Sequence, residues 1–467
     1  MKLVIAAALS ALIAAPALAQ EHAPPSEVLA VHDYVAAVSA DRIESDIRTL
    51  ADFGTRHTLS ETESDTRGIG AARRWIFEEF ERISADCGGC LEVMYISDTI
   101  SGTDRIPEPT EVVSVIAIQR GQIDPGRYVV MSGDIDSRVT DALDGSSDSP
   151  GANDNASGMA GVIEAARVLS QHEFDGSIIY AGLSGEEQGL FGGQIVAAHA
   201  IENGWRIKGV LNNDMIGNIA GINGVINNTT ARVFSEGTRA VETEQEAINR
   251  RFRGGEVDSA SRNLARFVDR TADQYIPNLD VMMVYRLDRF RRGGHHRPFN
   301  AVGYPGVRIM ETNEHYDRQH QDLRTEDGRP YGDTIEGVDF DHAARLTALN
   351  VAVLAQMAGA PPFPSNVTIE GAVQPSTTLS WNMAEGEAAA NLSGYRIYWR
   401  LTDQPQWQWS RFVGRTDTFP LENVVIDNYY FGVSAVEQEA VSAIAQAAPG
   451  RLFGLAGINP HDIAAGA

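Results

Sequence analysis

The sequence predicts an α/β protein: a mixed, mostly parallel sheet with helices on both faces, followed by a small all-β sandwich. Two observations carry this. Short apolar runs at Tyr128–Met131, Ile178–Leu183 and Gly209–Asn212 are separated by helical patterns over Ala156–Ser170 and Leu190–Glu202, the alternation of a doubly wound sheet. Beyond Ser365 the texture changes to period-two strands at Thr377–Trp381, Tyr395–Trp399 and Tyr429–Val436, rich in aromatics, as in a β-sandwich module.

Taken in order, the first residues carry Lys2, an apolar run from Leu3 to Ala15, and Pro16 before Ala17-Leu18-Ala19. This reads as a secretory signal peptide over residues 1–19, so the chain is expected to be exported, periplasmic or secreted. No later stretch approaches the roughly 20 apolar residues of a membrane span. An amphipathic helical region runs from Arg42 to Ser84, interrupted by a loop holding Gly54, Thr55, Arg56 and His57. Cys87 and Cys90 are the only cysteines, and in an oxidising compartment they are expected to pair. The first domain is assigned to residues 20–362, closing with a helix over Phe340–Met357 and a linker rich in Gly and Pro. A β-sandwich occupies 365–450 and a tail 451–467. Trp399, Trp407 and Trp409 in the sandwich are candidates for a ligand face or for strand packing.

Composition narrows the function. The 467 residues hold 38 Lys and Arg against 63 Asp and Glu, a formal charge of -25, which disfavours a nucleic-acid partner. Only Lys2 and Lys208 are lysines, so Schiff-base and P-loop chemistries have almost nowhere to reside. Carboxylates, by contrast, gather where predicted strands end. Asp134 and Asp136 follow the first strand, Glu186 and Glu187 the second, and Asp214 the third, while Asp154 lies in the Gly- and Asn-rich loop Pro150–Gly158. Strand carboxyl ends are where doubly wound sheets collect their functional groups. Acids so close would repel unless cations joined them, and two divalent metals are one answer.

Asn153-Asp154-Asn155-Ala156-Ser157-Gly158, Ser184-Gly185-Glu186-Glu187-Gln188-Gly189 and Asn212-Asn213-Asp214-Met215-Ile216-Gly217, in this order, resemble family 28 of the metallopeptidases, the di-zinc aminopeptidases. The resemblance spans about Arg42 to Ala358. The C-terminal region is similar to a fibronectin type III module. What the resemblance implies is a zinc aminopeptidase-like fold and an exopeptidase acting on peptide substrates. Asp154 would bridge two ions, Glu187 and Asp214 would bind one each, and Glu186 would be the general base. A late His completes the set, either His320, with Asp322 as its partner, or His315.

Two positions depart from the family's pattern. Its first ligand is His where this chain has Asp134, followed by the expected Asp136, and its usual Asp stands where this chain has His295. An extra carboxylate ligand would harden the site, so zinc is the first expectation and manganese or another hard divalent ion the second. His295 or its neighbour His296 could supply the missing imidazole, or both, like Asp136, could support the ligands from behind. Arg308, Tyr304 and Tyr316 fall in nearby segments, either as oxyanion donors or as packing. The competing reading is a metal-impaired homologue that binds peptides without cutting them, and carboxypeptidase-like or glutaminyl-cyclase-like chemistry is the third. The sequence leaves oligomeric state and residue preference open.

Overall fold

A computed structural model describes residues 27–253, 257–385, 389–438, 440–441, 445–446 and 448–449. The leader at 1–19 and the tail at 451–467 lie outside the described residues. The first domain is built on eight strands: β1 (Leu91–Ile100), β2 (Thr110–Gln119), β3 (Asp124–Asp134), β4 (Gly176–Leu183), β5 (Arg206–Asn213), β6 (Thr230–Ser235), β7 (Asp280–Val284) and β8 (Gly306–Glu311). Their order is β1-β2-β4-β3-β5-β8-β6-β7. The central β4, β3, β5 and β8 run parallel, β1 and β2 add an antiparallel margin, and β6 pairs antiparallel with β8. The sequence reading found the parallel centre and missed β1, β2, β6 and β7.

Alternation along the strands explains the two-faced core. Val129 and Met131 of β3 point into one hydrophobic layer, and Tyr128 and Val130 into the other. The larger layer receives α1 (Ala30–Ala36), α2 (Ala40–Asp52), α3 (Gly68–Asp86), α4 (Gly158–Leu169), α7 (Ala260–Tyr275) and α9 (Phe340–Gly359). The smaller layer receives α5 (Phe191–Glu202) and α8 (His296–Ala301); α6 (Glu244–Arg253) carries mostly polar residues. Helix starts are chemically marked: Ser39, Ser259 and Asp339 accept the amide hydrogens of Arg42, Arg262 and His342 at the heads of α2, α7 and α9. Cys87 and Cys90 form a disulfide in the turn between α3 and β1. Gly88 and Gly89 within it have φ of 78° and 90°, a conformation that favours residues without Cβ.

The C-terminal region forms two further sheets whose inner faces share a core. Val367, Leu379 and Trp381 come from one, and Tyr395, Ile397, Phe431 and Val433 from the other. Of the three tryptophans, Trp399 and Trp409 stack with ring centroids 6.2 Å apart, so strand packing engages that pair. Trp407 turns to the seam with the first domain, where it lines a cavity with Phe267 and Phe363. At this seam Asp258 receives Arg266 at 3.0 Å and Arg400 at 2.5 Å, both guanidinium side chains 1% exposed. Gln406 adds hydrogen bonds to the Arg266 carbonyl and to Asp269.

Among the described residues no helix is long and apolar enough to cross a membrane. Removing the shared acid at the seam leaves two buried cations uncompensated. Asp258→Ala is expected to cost about 3–5 kcal/mol, read as a lowered denaturation midpoint; an unchanged midpoint would show that the junction contributes no stability.

Candidate metal centre

Four strand ends and one loop deliver the acidic side chains to one place. β3 ends at Asp134 and leads to Asp136; β4 leads to Glu186 and Glu187; β5 leads to Asp214; β8 ends at Glu311. The loop before α4 carries Asp154, and its backbone is held from several sides. Asp333 accepts the amides of Asn153 and Asp154, and Glu311 accepts both the Asn153 side chain and the Asn218 amide. Arg56, 1% exposed, donates to the carbonyls of Leu50, Ile135, Pro150 and Gly151, tying this loop to the chain after β3. Asp136 accepts the amides of Glu186 at 3.2 Å and Glu187 at 3.1 Å, and also the Thr58 hydroxyl. The Glu-Glu pair is therefore oriented through its backbone by a carboxylate that need not ligate anything.

Asp154, Glu187 and His320 converge. Each offers one ligand atom, all within 4.8 Å of one another, and theirs is the group of this kind among the described residues. His320 Nε2 lies 3.0 Å from Asp154 Oδ2 and 2.9 Å from Glu187 Oε1. One imidazole and two carboxylates facing an open cavity match the three-ligand set of a catalytic zinc, so the residues fit such an ion. His315 stays outside the group and lines a smaller neighbouring cavity. The expected support from Asp322 is corrected: Asp322 accepts the Thr140 amide, while Arg138 reaches His320 Nδ1 at 2.8 Å and Glu187 Oε2 at 2.8 Å.

Asp134 and Asp214 do not join the group, which departs from the ligand set implied by resemblance. Asp134 has a hydrogen-bond partner on each oxygen: His295 Nδ1 at 2.6 Å and the Asn155 amide at 2.7 Å. The two departures from the family pattern, 161 residues apart, thus meet as one carboxylate–imidazole pair. Asp214 is paired with Arg308, whose Nη2 lies 2.8 Å from Oδ2. Arg308 itself is 0% exposed and also meets Asp288 at 3.3 Å. His296 bonds the Leu287 carbonyl, lies 3.7 Å from Asp288 and takes no part in the Asp154, Glu187 and His320 group. Tyr304 bonds the Trp205 carbonyl and Tyr316 is exposed, which leaves neither as a donor into the site.

Burial sets the electrostatics. It pushes Asp134 up to about 8 against the pull of Asn155, Asp214 up to about 8 against Arg308, and Asp136 up to about 7. Glu186 is raised well above its ordinary range by burial and by Glu187 and Asp214. Burial acts to raise Asp154 and Glu187 as well, but His320 outweighs it and holds both below the usual carboxylate range. Burial disfavours the His320 cation, yet Glu187 and Asp154 overcome it and lift the imidazole to about 9.

Comparison with known proteins agrees with this geometry. The sequence pattern described as "Peptidase family M28" matches residues 114–332. A probable zinc metalloprotease of Leptosphaeria maculans is 43% identical over 417 residues, covering 89% of this chain and 95% of its own. The chain belongs to peptidase family M28. A second probable zinc metalloprotease, from Pyrenophora teres f. teres, is 41% identical over 418 residues, covering 88% of this chain and 85% of its own. Among solved structures, the LapA aminopeptidase of Legionella pneumophila superposes with a TM-score of 0.52 at 19% identity, covering 73% of this chain and 78% of its own, a likeness of fold. As an M28 member the chain belongs to a family of peptidases, and both relatives are named as probable zinc metalloproteases.

Several supporting residues of this M28 site escape sequence reading. Arg56 was visible only as part of a loop, and Asp333 follows a short hairpin with no motif around it. Their roles depend on backbone carbonyls and amides brought together from distant segments, which leave no spacing signal.

The raised groups give the metal-free protein a pH dependence of definite sign. Asp134, Asp214 and Glu311, each at about 8, and His320, at about 9, hold protons more tightly folded than unfolded. Their contribution is present below the unfolded values of 3.8 to 6.5 and is lost as pH rises through the folded ones. His295, depressed to about 4, acts in the opposite sense only below 6.5. Metal-free protein should therefore lose stability between pH 6.5 and 9; a denaturation midpoint that stays flat or rises over that window contradicts the assignment.

Proposed function

We propose that this protein is an exported metallo-exopeptidase that hydrolyses the amino-terminal bond of peptides, with a divalent ion, zinc first, on Asp154, Glu187 and His320. The observation that carries the reading is the convergence of those three side chains beside Glu186 on the wall of a 620 Å³ cavity. When bound, the ion supplies a Lewis acid that brings water close to ionisation at neutral pH. Once a cation offsets the neighbouring carboxylates, Glu186 would be ionised and in place to take a proton from the attacking water and return it to the leaving amine. Asp136 fixes the backbone of Glu186 and Glu187, which leaves both carboxylates available, one for proton transfer and one to ligate. Export is supported by the leader pattern of residues 1–19 and by the Cys87–Cys90 bridge, a bond typical of oxidising compartments. The fibronectin type III likeness of the C-terminal sandwich belongs to the same reading and fits an extracellular setting.

Glu186→Gln should lower kcat on an aminoacyl-peptide panel by about 10²-fold or more, the scale of a lost general base, while zinc content stays at the wild-type level. Retained turnover would remove Glu186 from the mechanism. Treatment with a chelator should abolish hydrolysis and added zinc restore it; chelator-resistant hydrolysis would sink the metal-dependent reading.

A further inference from the structure

We propose that the centre takes one divalent ion per chain rather than the pair implied by the family resemblance, the second position being replaced by Arg308 and by the Asp134–His295 pair. The inference rests on the reading of Asp154, Glu187 and His320 as an ion site and concerns what lies beside it. A second ion would need Asp134, Asp154 and Asp214 to turn oxygens toward a common point. Asp214 Oδ2 instead receives Arg308 Nη2 at 2.8 Å. That guanidinium is 0% exposed and clamped by Asp288, by the Gly293 carbonyl and by the Asp214 carbonyl at 3.3 Å. It keeps its charge at any working pH and has no path to solvent, so a dication at Asp214 would sit against a fixed buried cation. Asp134 is similarly committed, with one oxygen on the His295 ring and the other on Asn155, whose own carbonyl is fixed by the amides of Gly158 and Met215. A fixed guanidinium thus supplies the positive charge that a second ion would bring to the acids.

Metal counting tests this without reference to turnover. Metal-free protein reloaded with excess zinc, freed of unbound ion and analysed by plasma mass spectrometry should hold one zinc per chain. Two would overturn the inference, and none would overturn the ion site beneath it as well. Asp214→Asn should still hold one zinc and His320→Ala none. Loss of zinc on Asp214→Asn would mean that Asp214 is a ligand, against the proposal.

A separate observation concerns the substrate. Six arginines line the same 620 Å³ cavity: Arg105, Arg138, Arg289, Arg291, Arg292 and Arg297. Arg138 is paired with Glu187, and Arg289 with Glu314 and Asp288. Arg105 and Arg292 meet only a carbonyl and the Gln319 amide oxygen in the hydrogen bonds they make, and Arg291 and Arg297 stand exposed with no carboxylate partner among the described residues. A cavity with acids at its floor and unneutralised guanidinium groups at its rim is complementary to a peptide that carries an amine at one end and carboxylates beyond it. We infer that the preferred substrates are short acidic peptides, a conclusion that specifies the exopeptidase reading.

Matched tripeptides Leu-Glu-Ala and Leu-Lys-Ala distinguish the possibilities. A preference of tenfold or more in kcat/KM for the Glu peptide is expected, narrowing in the Arg291→Gln, Arg297→Gln double variant and in high salt. Equal rates or a preference for Lys would overturn the substrate assignment. If neither peptide is cut, the exopeptidase reading fails, and calorimetric binding of the two peptides to Glu186→Gln protein still measures the preference: tighter binding of the Glu peptide upholds it, equal binding removes it.

Discussion

Crowded, buried negative charge is the constraint on which the rest of the domain depends. Asp134, Asp136, Glu187 and Asp214 arrive at neighbouring strand ends and Asp154 on the loop beside them, each with little or no solvent to screen it. Left alone, such a group would repel itself apart or take up protons. The surrounding structure answers each acid separately: an imidazole and an amide at Asp134, two backbone amides at Asp136, a guanidinium at Asp214, a histidine shared by Asp154 and Glu187. Because the acids are divided among several different partners, the carboxylates are held as distinct functional groups instead of one interchangeable cluster. That individuality is what allows Glu186 and Glu187, adjacent in sequence, to hold different assignments.

The parts of this arrangement legible in the sequence were those with local spacing. The parallel centre of the sheet showed as apolar runs between helices, and the acids showed because Asp134, Asp136, Glu186, Glu187 and Asp214 fall within a few residues of a strand end and Asp154 in a Gly- and Asn-rich loop. The resemblance placed a late His at His320 or His315, with Asp322 as the partner that favoured His320, and the fold brings His320 to Asp154 and Glu187. What stayed hidden had no periodicity to reveal it. The marginal strands β1 and β2 pair antiparallel with no helix between them, so the alternation that exposed the centre does not extend to them. Asp322 seemed the natural partner of His320 by proximity in sequence, yet Arg138 fills that place from 182 residues away.

The swap between positions 134 and 295 shows a limit of reading one position at a time. Taken singly, Asp134 looks like a damaged ligand and His295 like a possible rescue. In space the two positions meet in one hydrogen bond, between the Asp134 carboxylate and the His295 ring. Compensation in a packed site therefore need not restore a lost ligand, because it can instead give the new carboxylate a buried partner.

The near absence of lysine has a practical side. Among the described residues Lys208 is the lone primary amine on a side chain, lying near the entry end of β5 and over the ring of Phe363. Every cation at the acidic edge is a guanidinium or an imidazole. Reagents that acylate amines, including those used to attach dyes or tether proteins to surfaces, would find their side-chain target at the opposite end of the strand from the cavity. Coupling through that side chain would leave the mouth of the site facing outward.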